Sequence, residues 1–335
     1  MTDVTVVAVM VEARSVEELL LGEPLIHTFP DVEALSGIPA EYGLRIWTAL
    51  GFPMPPVDAV AFTEQDVEAM QEIASLLEHP FVDEAMVLQL ARGVGQTMSR
   101  LASWLGEVWL RQLADQLLPP GGSVDEQIVA DALAASAELR PRFEQLLLRG
   151  WRRQLAAAGV RVLTSTASSM ADPAAGTATL AVGFADIVSF TRLSRRMDGA
   201  ELASLIDSFE TTCASVVAGR GGRVIKTLGD EVLFTAATPE DAAMIALEIS
   251  AKVSEVEVRV GVAYGEVILR LGDVFGTPVN LAARLTATAR PGAVLVAAEM
   301  APFLDGFSLR ALKPRPLQGL GRVRPYLLKE ARATS

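Results

Sequence analysis

Apolar positions keep helical spacing through the first half of the chain, whereas the second half switches between helical spacing and strict alternation. Val67, Met70, Ile73, Ala74 and Leu77 form one stripe; Leu88, Ala91, Val94, Gly95, Met98, Leu101, Leu105 and Val108 form another. Pro119 to Ser123 interrupts the pattern, and a further helix is predicted over 124–158, carrying Phe143, Leu146, Leu147 and Trp151. Residues 165–176 are small, polar and rich in helix breakers, which predicts an interdomain linker. After it, Ala178 to Asp186 reads as an apolar strand ending on a carboxylate, and Leu202, Leu205, Ile206, Phe209, Cys213, Val216 and Val217 return to helical spacing. Gly221 to Phe234 holds two β-branched runs joined at Gly229-Asp230, a hairpin pattern with Lys226 and Asp230 near its tip. Thr238-Pro-Glu-Asp241 starts a helix with an N-cap and Pro in its first turn. Val256, Val258, Val260 and Val262 alternate in a strand leading to Gly265, Val267 to Leu269 form another, Gly272 to Gly276 a turn, and Val279 to Ala289 a helix. The order β-α-β-β-α-β is that of a ferredoxin-like α+β sandwich. The predicted layout is a helical domain over 1–160, a linker over 161–177 and an α+β domain over 178–332.

Within the first half, residues 28–56 read as two short helices around Ser36-Gly37-Ile38-Pro39, with Leu44, Trp47 and Leu50 on one face of the second and Gly51 closing it. Thr63 with Asp66 gives an N-cap signal for the next helix. This stretch resembles the helix-turn-helix of the MerR group, which implies DNA binding. Charge opposes that implication. Arg45 is the only Lys or Arg in 28–56, against Asp31, Glu33 and Glu41, so the module cannot collect the counterion-release energy that dominates DNA affinity. A packing or protein-contact role is the expectation, with no nucleic acid partner.

Composition adds three limits. The 335 residues are 50% hydrophobic and 21% charged, a globular balance that sets a prior of about two domains. The single cysteine, Cys213, excludes an intrachain disulfide and any cysteine-rich metal site. No basic leader and no run of about 18 apolar residues occur, so the expectation is a soluble, cytoplasmic protein without a membrane span. The net charge of −12 is uneven: residues 1–150 hold eight Arg, no Lys and 23 Asp or Glu, while residues 151–335 hold 21 Lys or Arg and 18 Asp or Glu. Only the second half is suited to a polyanionic small molecule.

The polar residues of that half are placed for such a ligand. Asp186 ends one strand and Asp230 sits at the hairpin tip, where two carboxylates on adjacent loops suit a hard cation such as Mg²⁺ or Mn²⁺. Asp273 follows at a turn, then Asn280 and Arg284 one helical turn apart on a single face. Carboxylates for metal together with an amide and a guanidinium form equipment for restraining a triphosphate.

Three stretches, Phe184 to Thr191, Ile225 to Asp230 and Gly272 to Arg284, resemble in order and spacing the catalytic domain of class III nucleotidyl cyclases. The resemblance spans about 178–330. It implies that Asp186 and Asp230 hold two divalent metal ions, that Lys226 and Asp273 read the adenine of ATP, that Asn280 positions the ribose and that Arg284 steadies the transition-state phosphates. It also implies a head-to-tail homodimer with catalytic sites at the interface, so that the hairpin serves two sites: Asp230 its own, Lys226 the partner's. Two departures stand out: Ser189 replaces a usual Gly, and Glu231 follows Asp230 where a small residue is common. Over much of 28–118 the chain resembles the regulatory domain of soluble actinobacterial cyclases of this class. That implies pH-dependent inhibition of the catalytic domain and an apolar site for a fatty acid.

Overall fold

The computed structural model describes Arg14 and residues 16–117, 126–168 and 176–330. Packing divides the chain into two compact units, with the boundary between Leu155 and Ala156.

The first unit is helical: α1 (Phe29–Ser36), α2 (Ala40–Leu50), α3 (Glu64–Leu77), α4 (Glu84–Leu117) and most of α5 (Glu126–Ser168). Thr28 and Thr63 cap α1 and α3 through reciprocal bonds with Asp31 and Asp66, which satisfy amides the helix itself leaves open. Gly37 and Gly51 end α1 and α2 in the left-handed conformation that a side chain would disfavour. The core gathers Val32, Ile38, Tyr42, Ile46, Phe62, Val67, Met70, Val87, Leu88 and Ala91. The face expected for α2 is therefore rotated. Tyr42 and Ile46 are buried, Leu44 is exposed, and Trp47 is held at the core's edge by edge-on contact with Phe62 and a bond from its Nε1 to Pro53 O. The second predicted stripe is likewise split, because Leu88, Ala91 and Gly95 are buried while Val94, Met98 and Val108 face out. A Cβ on Gly95 would lie 2.2 Å from Leu50 O, so this glycine is what lets α4 meet the end of α2. Helix α5 runs to Ser168, ten residues past its predicted end and into the stretch expected as linker; residues 169–175 of that stretch lie outside the described residues.

The second unit is a mixed sheet with helices on both faces. Its elements are β1 (Thr177–Ile187), α6 (Phe190–Leu193), α7 (Gly199–Gly219), β2 (Arg223–Leu228), β3 (Glu231–Ala236), α8 (Pro239–Lys252), β4 (Val258–Arg270), β5 (Asp273–Phe275) and α9 (Thr277–Thr288). There follow β6 (Val294–Val296), β7 (Phe307–Ala311), β8 (Arg315–Leu317), β9 (Gly321–Val323) and β10 (Tyr326–Glu330). The strand order is β2-β3-β1-β4-β6-β10-β7, with β5 on β4 and β8-β9 as a separate ribbon. Alternation along β1 splits the core in two. Ala181, Ala185 and Ile187 face α7 and α8, whereas Val182 and Phe184 face α9. The expected pair of strands 256–262 and 267–269 is one continuous strand, β4. Gly265 does not end it; a Cβ there would press on Pro278 at 3.0 Å, so the glycine makes room for α9 instead.

Candidate active site

Strand β1 delivers Asp186 to the α9 side of the sheet, next to last in the strand, where it pairs in register with Glu231 on β3 and Arg259 on β4. The two-residue turn Gly229-Asp230 adds a third carboxylate, tied to β1 by the Ile187 amide donating to Asp230 O at 2.9 Å. Gly229 supplies the positive φ of that turn. Asp186 is buried, and burial is the main force raising its pKa; the nearby charge of Asp230 adds to the rise and Arg259 opposes it. Burial, reinforced by Asp186 and Asp230, pushes Glu231 to about 7. Three crowded carboxylates facing one guanidinium are a site short of positive charge. Arg259 supplies part of it, its Nε donating to Asp186 Oδ2 at 2.6 Å and its Nη1 to Ala287 O at 3.1 Å.

Asp186 and Asp230 fit a divalent cation by donor chemistry: hard carboxylate oxygens, mutually repelling, at the open end of a sheet. Among the described residues no three ligand groups are already spaced around an ion, and Asp186 is engaged by Arg259.

Helix α9 lies flat on β4 because Gly261 has no side chain; a Cβ there would sit 2.3 Å from Thr286 N. Thr286, fully buried, donates its hydroxyl to Ala282 O and Phe184 O. With Leu281 and Leu285 turned inward, Asn280 and Arg284 share the exposed stripe.

Lys226 and Asp273 form an ion pair across β2 and β5, and Asp273 Oδ1 also accepts from the Val274 amide. Arg223 donates to Gly272 O at 3.3 Å and ties the same two strands. Asp273 enters from the β4–β5 turn, opposite Arg270, whereas Lys226 stands opposite Leu233, which pairs with Phe184 two residues before Asp186. The structure thus groups the residues named from sequence into a carboxylate end, a helix stripe and a Lys–Asp pair.

The model for the adenylate and guanylate cyclase catalytic domain matches residues 173–330. An adenylate cyclase of Streptomyces coelicolor is 40% identical, the match covering 94% of this chain and 89% of that protein. One from Glutamicibacter nicotianae is 36% identical over 96% of this chain and 83% of its own length. The chain belongs to the class III adenylate cyclase family. A pH-sensitive adenylate cyclase of Mycobacterium tuberculosis is also similar, at 30% identity over 88% of this chain and 75% of that protein.

Within this cyclase, Ser189 occupies a left-handed backbone position with φ of 60°, a reason for glycine to be usual there. Glu231 lies inside the carboxylate cluster through its register with Asp186, a placement sequence left undecided. Arg259 was missed altogether. Its signal was the alternation of Val258 and Val260, which sends residue 259 to the opposite face, level with Asp186. Among the described residues no helix is long and apolar enough to cross a membrane.

Proposed function

We propose that the protein converts ATP to 3′,5′-cyclic AMP and pyrophosphate at an interface between two copies of the chain. The observation that carries this reading is that a carboxylate cluster short of positive charge, an internally paired Lys226 and Asp273 and the exposed Asn280–Arg284 stripe all belong to the catalytic unit. In this reading one chain presents both halves of a site, and a head-to-tail homodimer completes two. Exposed apolar side chains support that pairing: Leu228 on the hairpin and Ile268, Leu269, Leu271 and Phe275 around the β4–β5 turn, each about half exposed.

In the assembled site, Asp186 and Asp230 of one copy hold two Mg²⁺ or Mn²⁺ ions, consistent with the general use of divalent metals by the family. When bound, the ions lower the pKa of the ribose 3′-hydroxyl and neutralise phosphate charge. Lys226 of the other copy donates to a ring nitrogen of adenine, and Asp273 accepts from its exocyclic amine. Asn280 positions the ribose, and Arg284 steadies negative charge as the 3′-oxygen bonds to the α-phosphorus and pyrophosphate departs. Incubating the purified chain with Mn²⁺ and ATP should yield cyclic AMP and pyrophosphate in equal amounts, and EDTA should stop it. Absence of cyclic AMP would identify a cyclase-like scaffold instead.

The N-terminal unit is proposed to regulate this activity. The similarity to a cyclase named pH-sensitive supports a response to pH. A groove of about 660 Å³ between α2 and α4, lined by Leu44, Leu50 and Leu88 together with Arg45 and Arg92, matches the chemistry of a fatty acid. The MerR-like helix pair α1–α2 serves packing in this reading, since Arg45 is already within 3.7 Å of Glu84 and stacks over Tyr42. An activity profile that stays flat from mildly acid to mildly alkaline pH, both with and without residues 1–160, would remove the regulatory proposal.

A further inference from the structure

Beyond the catalytic residues, the catalytic unit carries a second cationic concavity. Helix α9 covers β4 and β1 and stops at Thr288, beside a cleft of about 610 Å³ that extends over the outer strands β6, β10 and β7. Register sets Leu295, Leu327 and Arg310 in a row across these three strands, and Lys329 follows on the same face of β10. Arg290 enters from the loop after α9 and Arg315 from the first position of β8. Glu330, the one carboxylate lining the cleft, alternates to the opposite face from Lys329, the side on which Leu247, Ser250 and Ala251 of α8 also line it. Among the described residues Arg290, Arg310, Arg315 and Lys329 make no ion pair, although the chain as a whole is strongly acidic. Four cations gathered around a leucine floor repel one another, and among the described residues none of them is held in an ion pair.

We propose that this cleft binds a polyphosphate anion of nucleotide size, its phosphates on the Arg and Lys side chains and its organic part on the leucine floor. The volume suits a mononucleotide, and the concave shape with an acidic chain around it disfavours a nucleic acid backbone. The cleft also touches the catalytic machinery. Arg315 donates to Thr288 O at 3.3 Å, at the last residue of the helix that carries Asn280 and Arg284. An anion drawing Arg315 or Arg290 toward itself alters what holds that helix end, so occupancy of the cleft and position of the stripe are coupled.

The test is calorimetric titration of the full-length protein in EDTA at low salt, with inorganic triphosphate and ADP as separate probes. The Arg310→Ala/Lys329→Ala protein should bind both probes at least about tenfold more weakly than wild type, while Arg284→Ala binds as wild type does. Arg290→Ala should weaken binding by a smaller factor, and affinity should fall steeply as salt is raised. The double variant should keep its melting temperature and basal cyclase rate, because neither residue lies in the catalytic set. Equal affinity in wild type and the double variant overturns the site, as does loss of binding in Arg284→Ala alone. Binding of triphosphate in the cleft without binding of ADP overturns the nucleotide class. Because the readout is binding without metal, a failure here leaves the cyclase reading to its own assay.

Discussion

At the Asp186 end of β1 the sheet gathers like charges, whereas at the β4–β5 turn it pairs unlike ones. Asp186, Asp230 and Glu231 crowd together under burial that raises Asp186 and Glu231, with Arg259 the counter-charge on Asp186. Lys226 and Asp273, half-buried, already neutralise each other. The first arrangement leaves negative charge in excess, which the proposed mechanism balances with a cation. The second is complete by itself and must exchange its internal bond for bonds to a ligand, which makes it suited to discriminate more than to drive chemistry.

Breaking the carboxylate end should therefore cost most. Asp186→Ala or Asp230→Ala is expected to lower cyclic AMP formation by about a thousandfold or more, since each removes a carboxylate that the proposed mechanism assigns to metal. A loss below tenfold, measured with saturating Mn²⁺, would place the metal elsewhere. The sharper experiment mixes two impaired proteins. An Asp230→Ala chain keeps its Lys226, and a Lys226→Ala chain keeps its carboxylates, so half of the randomly assorted dimers hold one whole site and activity should return to about a quarter of wild type. A mixture no more active than the mean of its two parents under conditions of chain exchange would show that the two ends serve one chain's own site.

Damage to the Lys–Asp pair should be milder and selective. Lys226→Ala should reduce kcat/KM for ATP by about 10- to 100-fold and shrink the preference for ATP over GTP, because a lost donor to the ring costs about 1–3 kcal/mol. An equal fall for both nucleotides would mean that the lysine binds phosphate instead of base.

The crowding at the carboxylate end also predicts how stability changes with pH in EDTA. Glu231 holds its proton to about 7 in the fold, against an ordinary value of 4.5. Between those values the unfolded chain has lost the proton and the folded chain keeps it, so stability falls as pH rises from 4.5 through 7. The melting temperature should decline by a few degrees over that window, and Glu231→Gln should flatten this part of the profile. An unchanged slope in the variant would assign the dependence to other groups.

Much of this contrast was legible in sequence because its residues sit at places that short patterns mark: the end of an apolar strand, a Gly-Asp turn and a helix stripe. What escaped depended on neighbours across the sheet. Arg259 belongs to the cluster only through its register with Asp186, which no local pattern reveals. Gly265 read as a strand end because glycine permits turns, yet its use is to admit Pro278. The small residues after 158 read as linker, although Ala, Thr and Ser also continue a helix, as α5 does to Ser168. For α2, spacing gave a face, but the partners Phe62 and Pro53 fixed which side of Trp47 turned inward.

Backbone strain offers the finest comparison, because each end has one non-glycine residue in the left-handed region: Ser189 with φ of 60° and Leu271 with φ of 52°. Ser189 follows the Asp186 strand and opens α6; Leu271 sits in the β4–β5 turn and is 46% exposed. Ser189→Gly relieves a local strain and should add about 0.5–1 kcal/mol of stability, a rise of a few degrees in Tm. Leu271→Asn relieves a similar strain, since Asn tolerates this region, but it also removes an apolar side chain from the patch assigned to the partner copy. Its monomer should be stabilised by a comparable amount while self-association weakens about tenfold, read by sedimentation across a dilution series. Ser189→Gly should leave that dilution profile unchanged. If Leu271→Asn leaves it unchanged too, the β4–β5 turn lies outside the dimer contact, and the pairing of unlike charges beside it must be explained within a single chain.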